Sequence, residues 1–399
     1  MSRDVIFNYL LEMGRVAASD LYLTVGSKPM MRVDQDLVPI GDDVLTPMNI
    51  QTLLGAVLTE QQMREFEENL ELNSALDLGE HGRFRLNVLR QKHSPAMVIR
   101  RIITKIPRFE GLKLPPIYGD LAMERRGLVL VVGMTGSGKT TSLASMIDHR
   151  NRMESGHIIT IEDPIEYYHD HQKSLVTQRE IGVDTHSYKD ALKNALRQRP
   201  DVILIGEIRD REVMEQALAC SETGHLCLAT VHANNAYQAI ERVINFFPDE
   251  QAQQVRMSLA ANLKGVLSQR LLKSERGGMV PVLEIMLNQG LVRELILKGE
   301  VSKIFEVMEK NAMMGMRTFD QSLIELYRTG IISEDVVVNN ADRPTEMRVK
   351  LQTISPQSKE AVDQNFQMGG NMRAQSQQEE TAENAVLGYI DTDSLRLHE

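Results

Sequence analysis

The sequence predicts an α/β protein in which an N-terminal α+β domain precedes a parallel-sheet domain with a glycine-rich loop and a set of C-terminal helices. Three observations predict this arrangement. The chain has 399 residues, more than one hydrophobic core usually spans. Short apolar runs alternate with helical segments from residue 123 onwards. The pattern G-x-x-x-x-G-K-T follows the first of those runs.

Residues 1–107 are expected to form the α+β domain. An amphipathic helix is predicted at the N-terminus, where apolar residues between Ile6 and Leu11 alternate with polar ones at helical spacing. Strands are predicted in DLYLTVG and MMRVDQDLVPI, a helix in TEQQMREFEENL, and a hairpin in GRFRLNVLRQKHSPAMVIRRII. Residues 108–122, which contain Pro115 and Pro116, are predicted to be a linker by composition.

Residues 123–285 carry the alternation of strands and helices. The predicted strands are GLVLVVG, HIITIED, VILIG and LCLATVH. Because helical segments separate them, a parallel sheet covered on both faces is expected. After Pro281 the pattern becomes mostly helical, so residues 286–339 are predicted to be a C-terminal helical region.

Residues 340–399 lose this periodicity and include the polar run QNFQMGGNMRAQSQQEETAEN. So polar a segment buries too little apolar surface to offset the entropy of ordering it, which predicts a disordered tail. Its last apolar residues are either a short docking motif or part of an inert tail: Val386, Leu387, Tyr389 and Ile390.

Charge and cysteine content exclude several classes of protein. The net charge of −10 argues against nucleic acid as the main partner, because phosphate binding usually appears as a basic excess, although a local patch is compatible with an acidic total. No segment approaches the ~18 uninterrupted apolar residues of a membrane span. The two cysteines, Cys220 and Cys227, lack C-x-x-C spacing and are expected in the core of a reduced, cytosolic protein.

The stretch GMTGSGKT, from Gly133 to Thr140, is the strongest functional signal. It stands between a strand and a helix, where its glycines let backbone N–H groups face a phosphate chain. Lys139 supplies a cation to the β- and γ-phosphates, and Thr140 offers a hydroxyl to Mg²⁺. The sequence therefore predicts a nucleoside triphosphate site. Its other candidate residues are Thr135, Gly136, Ser137, Gly138 and Thr141.

Acidic residues follow two of the predicted strands. Glu207 directly follows the predicted strand VILIG. It is expected near the phosphates, because ligands bind at the carboxyl edge of such sheets. The alternative is a surface acid paired with Arg209 or Arg211. In IEDPIE, Glu162 lies at the strand end and Glu166 beyond a proline that fixes a turn. Hydrolysis requires a carboxylate that orients the attacking water as well as an acid that holds the metal, so these two sites are candidates for both roles.

Two histidines flank the strand LCLATV. Seven residues of extended chain separate His225 from His232 by roughly 23 Å, so the pair cannot ligate one metal ion. His232, after the strand, is the one placed to sense a γ-phosphate. A purely structural, hydrogen-bonded histidine is the alternative.

At this point the motifs resemble a known family. The stretch LRQRPDVILIGEIRD is similar to the signature of secretion and pilus motor ATPases, IEDPIE to their aspartate box, and TGHLCLATVHANNA to their histidine box. Over about residues 1–335, including GRFRLNVLRQ and GMRTFDQSL, the chain resembles the PilT/PilU family of type IV pilus ATPases. The resemblance implies a PAS-like N-terminal domain, a RecA-like ATPase domain, and a homohexameric ring that binds ATP and Mg²⁺ between the domains.

The resemblance also assigns roles to single residues. Glu207 corresponds to an atypical Walker B acid that holds Mg²⁺ directly or through water, and Glu166 to the catalytic carboxylate, with Glu162 beside it. His225 and His232 correspond to the histidine box and would bind nucleotide. Two further nucleotide-binding candidates resemble arginines that domain closure brings onto the triphosphate, with strand-surface charges as the alternative: Arg85 and Arg100.

One departure from the PilT pattern bears on the role. PilT motors carry the helix motif AIRNLIRE, where this chain has GLVRELILKGE from Gly290. This difference and the long tail favour a PilU-type accessory ATPase that retracts pili with a PilT-type ATPase and a platform protein, in the cytoplasm at the inner membrane.

Alternatives are a coupling subunit whose own hydrolysis is dispensable, a nucleic-acid translocase, and an assembly or type II secretion ATPase. The last is disfavoured, because two cysteines cannot form the four-cysteine zinc site of assembly ATPases.

Overall fold

A computed structural model describes residues 2–33, 36–79, 82–102 and 106–354. Contacts divide the chain into two compact units. The first unit comprises Met1–Val131, Gly138–Val231 and Val243–Gly265, and the second comprises Val132–Ser137, His232–Arg242 and Val266–Glu399. Across the described ranges, no helix is both long enough and apolar enough to cross a membrane.

The N-terminal domain is an antiparallel sheet covered by helices, as the sequence predicts. Its helices are α1 (Ser2–Arg15), α2 (Pro47–Val57) and α3 (Glu60–Asn69). Its strands are β1 (Asp20–Thr24), β2 (Met30–Val33), β3 (Asp36–Pro39), β4 (Glu71–Asp77), β5 (Arg83–Gln91) and β6 (Ser94–Ile102). The strand order is β3-β2-β1-β6-β5-β4. The predicted N-terminal helix, the helix of TEQQMREFEENL and the β5–β6 hairpin are all confirmed.

The two faces of strand β5 have different roles. Phe84, Leu86 and Val88 are fully buried in the core of the domain. Because successive side chains of a strand point to opposite faces, Arg83 and Arg85 lie on the other face. The core of the N-terminal domain therefore occupies one side of its sheet and leaves an arginine-bearing side.

The second sheet carries the functional loops. Its order is β13-β12-β7-β11-β10-β8-β9. The strands are β7 (Gly127–Val132), β8 (His157–Glu162), β9 (Leu175–Glu180), β10 (Val202–Ile205), β11 (Leu226–Val231), β12 (Leu263–Lys273) and β13 (Met279–Leu287). The pairs β8–β9, β8–β10 and β10–β11 are parallel. Every residue of β7, β10 and β11 is buried, as expected of strands covered on both faces.

Five helices alternate with these strands and confirm the predicted parallel arrangement. They are α6 (Lys139–Met153), α7 (Tyr188–Ala195), α8 (Arg211–Glu222), α9 (Ala236–Asn245) and α10 (Ala252–Asn262). Both cysteines are buried, as predicted. Three strands of this sheet were not foreseen from the sequence, namely β9, β12 and β13, nor was β4 of the N-terminal sheet; β13 extends past Pro281, where helix was expected.

The segment predicted as a linker is partly helical and packed. It contains α4 (Phe109–Leu112) and α5 (Ile117–Ala122), in which Tyr118 is fully buried. Arg150 of α6 donates to the carbonyl oxygens of Ala122 and Glu124 at 3.0 and 2.7 Å. Prolines suit the start of a helix, where no N–H donor is needed, so Pro115 and Pro116 precede α5 without disrupting it.

Between residues 286 and 354, the described part of the second unit contains five helices. They are α11 (Leu291–Lys298), α12 (Ile304–Lys310), α13 (Phe319–Arg328), α14 (Glu334–Asn340) and α15 (Pro344–Gln352). The prediction of disorder from residue 340 is wrong for α15. Met347 and Leu351, four residues apart on one helix face, are 1% and 4% exposed and join the core formed by Phe319 and Val337. The suggested docking motif at Val386–Ile390 lies outside the described residues.

Helix α15 is expected to stabilise the second unit. Leu351→Ala removes a buried side chain and should lower the free energy of unfolding by about 2–4 kcal/mol. Val349→Ala, on the same helix but 62% exposed, serves as the control and should change it by less than about 0.5 kcal/mol. Urea denaturation of both variants measures the difference. Equal effects would mean that α15 does not pack as described.

Candidate functional site

The phosphate loop connects β7 to α6, as predicted, and its backbone requires glycine. Gly133, Gly136 and Gly138 have φ values of +152°, +77° and +87°. A Cβ at Gly133 would overlap the carbonyl oxygen of Gln269 and the hydroxyl of Ser137. Since side chains are excluded here, the loop is a backbone surface that leads into the N-terminus of a helix, the usual form of a phosphate cradle.

Ser137 supports this assignment independently. Its side chain is buried, and within the described part of the chain its Oγ has no hydrogen-bond partner. Buried polar atoms are rarely left unpaired, so this hydroxyl suits a ligand acceptor such as a phosphate oxygen. Of the other candidates in the loop, Thr135 and Gly136 are exposed and Thr140 is half-buried. These residues fit a triphosphate.

Lys139 opens α6 and is 9% exposed. Burial lowers the pKa of its amine, while the carboxylates of Glu207 and Glu166 act in the opposite direction. Both carboxylates are therefore close enough to influence the ammonium group electrostatically. The structure brings together the three residues that the sequence assigned to phosphate, metal and water.

Parallel pairing of β8 and β10 determines where the acids lie. Ile161 is opposite Ile205, so Glu162 and Glu207 both follow at the carboxyl edge of the sheet. Gly206, the residue before Glu207, lets the chain pass close to β8 and to Tyr188. A Cβ at Gly206 would lie 3.0 Å from the hydroxyl of Tyr188 and 3.2 Å from the carbonyl oxygen of Ile161. The strand ends therefore carry two carboxylates at one edge.

Glu207 forms an ion pair with a neighbouring arginine in this structure. Its Oε2 accepts from both Nε and Nη2 of Arg209 at 2.8 Å, and Arg209 also lies 3.6 Å from Asp163. Arg211 instead pairs with Glu215. The Arg209 pairing expected of a surface acid is thus present, yet the Glu207 side chain is only 19% exposed and acts on Lys139. Glu207 therefore lies near Lys139 and is paired with the guanidinium group of Arg209.

Glu166 is exposed on a turn that is anchored on both sides. In this aspartate-box turn (residues 163–168), the N–H of Ile165 donates to Glu180 Oε2 at 3.1 Å. The hydroxyls of Tyr167 and Thr141 are 2.9 Å apart, which links the turn to the first turn of α6. Buried neighbours hold the backbone and leave the Glu166 carboxylate accessible.

Glu162 has the opposite environment. It is 7% exposed, and its Oε1 accepts from Thr160 at 2.6 Å and from Gln178 at 3.2 Å. Burial raises its pKa to about 7, and the nearby carboxylates of Glu166 and Glu180 act in the same direction. Glu162 is thus a buried carboxyl with a pKa near neutral, close enough to Glu166 for the two charges to interact.

The two histidines lie at opposite ends of β11. His232 follows the strand at its carboxyl end. His225 precedes it, and its Nδ1 is 3.2 Å from both Thr223 Oγ1 and the carbonyl oxygen of Cys220. The structure does not bring His225 together with Lys139, because one lies at the amino edge of the sheet and the other at the carboxyl edge.

Arg85 and Arg100 lie side by side, directly opposite each other in strands β5 and β6. Arg85 Nη1 is 3.6 Å from Glu180, and Arg100 Nε donates to Asp20 at 2.8 Å. The bond to Asp20 raises the pKa of Arg100, and the charge of Glu166 adds to this effect. Both arginines therefore have carboxylate partners within this chain.

Sequence reasoning missed three residues of the site: Tyr167, Gln178 and Glu180. Gln178 and Glu180 belong to β9, which was not recognised as a strand. The signal was the period-two alternation of LVTQRE, in which Val176, Gln178 and Glu180 share one face. The pairing of Arg209 with Glu207, in contrast, was one of the alternatives that the sequence offered.

The buried Glu162 should affect stability as pH changes. Its pKa rises from 4.5 unfolded to about 7 folded, so the folded chain binds more protons in that window. The stability that this group contributes is complete below pH ~4.5 and is lost as pH rises through ~7. Glu162→Gln should therefore flatten the fall in unfolding free energy over this range, measured by urea denaturation at several pH values. The pKa of Glu284 is also raised to about 7, but Glu284 is present in both the wild type and the Glu162→Gln variant, so its contribution cancels in the comparison. An unchanged slope would contradict the burial of Glu162.

Comparison with known proteins identifies the family. The Type II/IV secretion system protein family matches residues 69–383. Pseudomonas aeruginosa "Type IV pilus ATPase PilU" is 47% identical over 88% of this chain and 91% of its own length. PilT of the same organism is 39% identical over 82% and 95%. A crystal structure of the pilus retraction motor PilT with bound ADP superposes with a TM-score of 0.78, at 41% identity, over 84% of this chain and 96% of that one. The chain therefore belongs to the Type II/IV secretion system protein family and, within it, to the PilT/PilU family of type IV pilus ATPases.

Proposed function

We propose that this chain is the PilU-type accessory ATPase of type IV pilus retraction, a homohexamer that hydrolyses ATP with Mg²⁺ and acts with a PilT-type ATPase. The platform protein of the inner membrane would be its membrane-side partner, which places it in the cytoplasm at the pilus base. The observation that carries the enzymatic part is a glycine-rich loop directly before Lys139, with a buried Ser137 hydroxyl that is unpaired among the described residues, in a sheet whose strands β8 and β10 end in acids at one edge.

The loop residues divide the binding of ATP between them. Backbone N–H groups of the glycine-rich loop and the Ser137 hydroxyl donate hydrogen bonds to phosphate oxygens. Lys139 supplies an ammonium group that balances their negative charge. Thr140 and Glu207 would hold Mg²⁺, directly or through water. When bound, Mg²⁺ would neutralise charge on the phosphates. Because Arg209 already balances Glu207, metal binding there exchanges one positive partner for another.

Glu166 performs the step that requires a base. Its carboxylate is exposed on an anchored turn, so it can accept a hydrogen bond from water and orient that water towards the γ-phosphate. Proton transfer to Glu166 then makes the oxygen a better nucleophile. The electrostatic influence of Glu166 on Lys139 indicates that water held there would lie near bound phosphate.

The N-terminal domain would complete the site. Arg85 and Arg100 lie on the face of its sheet opposite the core, and Glu166 influences Arg100 electrostatically. Guanidinium groups stabilise the charge that develops on a transferred phosphate. Movement of these arginines onto the triphosphate would couple nucleotide state to domain closure, which in a ring of six subunits produces mechanical work.

The PilU-type role is supported by similarity and by one local difference. The chain is 47% identical to PilU and 39% identical to PilT from one organism. The AIRNLIRE motif of PilT is replaced by the segment around α11, where Leu291 and Leu297 are 52% and 43% exposed. The same difference favours one alternative, a coupling subunit of the PilT motor whose own hydrolysis is dispensable.

Lys139→Ala should abolish ATP turnover, because the β- and γ-phosphates lose their cation. We expect a fall of at least roughly 100-fold, since charge-stabilising groups contribute several kcal/mol in such sites. Phosphate release by the purified protein measures it. Lys193→Ala, at an exposed position of α7, is the matched control and should keep wild-type turnover. Near-normal turnover by Lys139→Ala would remove the basis of the phosphate-loop assignment.

Glu166→Gln should stop hydrolysis while preserving ATP binding, because the amide keeps the size of the side chain and cannot accept the proton. Turnover and binding of a fluorescent ATP analogue separate the two effects. Loss of binding together with turnover would indicate a structural role.

Retraction force then tests the cellular role. In cells that lack this protein, wild type should restore force and Glu166→Gln should not. Full restoration by Glu166→Gln would favour the coupling subunit instead.

A further inference from the structure

Two arginines of the N-terminal domain contact the region around the aspartate-box turn. Arg83 stacks on the ring of Tyr168 with its guanidinium carbon 4.3 Å from the ring centroid. Arg85 lies 3.6 Å from Glu180 Oε1. The two arginines are two residues apart on β5 and so share one face of the strand. The N-terminal domain therefore contacts the aspartate-box turn through Arg83 and the end of strand β9 through Arg85.

Glu180 connects one of these contacts to Glu166. Its Oε1 faces Arg85, and its Oε2 accepts the N–H of Ile165, the residue before Glu166. A single carboxylate thus bridges a cation on the N-terminal domain and the backbone of the catalytic turn. Any movement of Arg85 changes the charge balance on the group that anchors the turn.

The backbone of Glu180 is held by hydrogen bonds on both sides, so its side chain starts from a defined position. Glu180 lies opposite Glu162 in the parallel pairing of β9 with β8. Its N–H donates to Asp184 Oδ2 at 2.8 Å, and the N–H of Ile181 donates to the carbonyl oxygen of Glu162 at 2.9 Å. The side chain is 14% exposed. Such a group can hold the turn in place and still release a cation.

We propose that Glu180 is a positioning residue with two functions: its Oε2 anchors the catalytic turn, and its Oε1 is the resting partner from which Arg85 departs towards bound triphosphate. This inference rests on the proposed ATPase function. The 3.6 Å separation and the partial exposure of both side chains make the ion pair weak enough to exchange. Glu180 then competes with phosphate for Arg85, and domain closure reaches Glu166 through the shared carboxylate.

The two functions predict a split between KM and kcat. Glu180→Gln keeps an acceptor oxygen for the Ile165 N–H but loses the charge that retains Arg85. It should lower the KM for ATP roughly 2- to 5-fold, the range expected from loss of a partly exposed ion pair, and leave kcat within about 2-fold. Glu180→Ala loses the anchor as well and should lower kcat roughly 10-fold, as expected when a hydrogen bond to a charged group is lost.

Two controls isolate the mechanism. Glu212→Gln removes an exposed carboxylate that pairs with Lys189 at 3.1 Å, so it tests the general effect of removing one negative charge and should leave KM and kcat unchanged. In an Arg85→Ala background, Glu180→Gln should no longer lower KM, because no arginine remains to be released. Thermal unfolding of each variant shows whether it is folded.

Steady-state phosphate release over a range of ATP concentrations tests the inference. It is supported by a lower KM in Glu180→Gln that disappears in the Arg85→Ala background. An unchanged KM, or a decrease that persists without Arg85, overturns it. The result for Glu180→Gln decides the inference even if Glu180→Ala fails to fold. Absence of turnover in wild type would instead count against the proposed function, so the two failures are distinguishable.

Discussion

Parallel pairing of β8 with β10 is the constraint on which the rest of the site depends. Both strands are apolar along most of their length and buried, so their polar continuations can emerge only at the strand ends. Because the pairing is parallel, IEDPIE and GEIRD emerge at the same edge. The acids of both segments thereby lie at one edge of the sheet, although the two segments are about 40 residues apart in the chain.

Concentrating carboxylates at one edge creates an electrostatic cost that the protein offsets in different ways. Burial keeps Glu162 partly protonated near neutral pH, while Glu207 and Glu180 have arginine partners, Arg209 and Arg85. Each balancing arginine is also a group that a triphosphate attracts. The resting charge balance and the nucleotide-bound one can therefore differ by exchange of partners, with little change in total charge.

The N-terminal sheet serves both stability and function because its strands alternate. One face of β5 supplies the core residues Phe84, Leu86 and Val88, and the other presents Arg83 and Arg85 towards the catalytic turn. A strand anchored by its core face gives the arginines a defined position. Motion of the domain as a body then carries them together, which suits a motor that couples nucleotide state to domain movement.

The sequence alone determined the features that depend on local spacing: the phosphate loop, the apolar strands of the parallel sheet, the β5–β6 hairpin, and the acids at strand ends. Local chemistry sufficed because these patterns are set by backbone conformation and side-chain alternation. Tertiary structure alone decided that Tyr167 contacts Thr141 of α6, that Gln178 of β9 donates to Glu162, and that α15 packs as a helix where disorder was expected. The contact between Arg85 and Glu180 joins strands β5 and β9, which are remote in the chain, and only the packing of one domain on another selects such a pair.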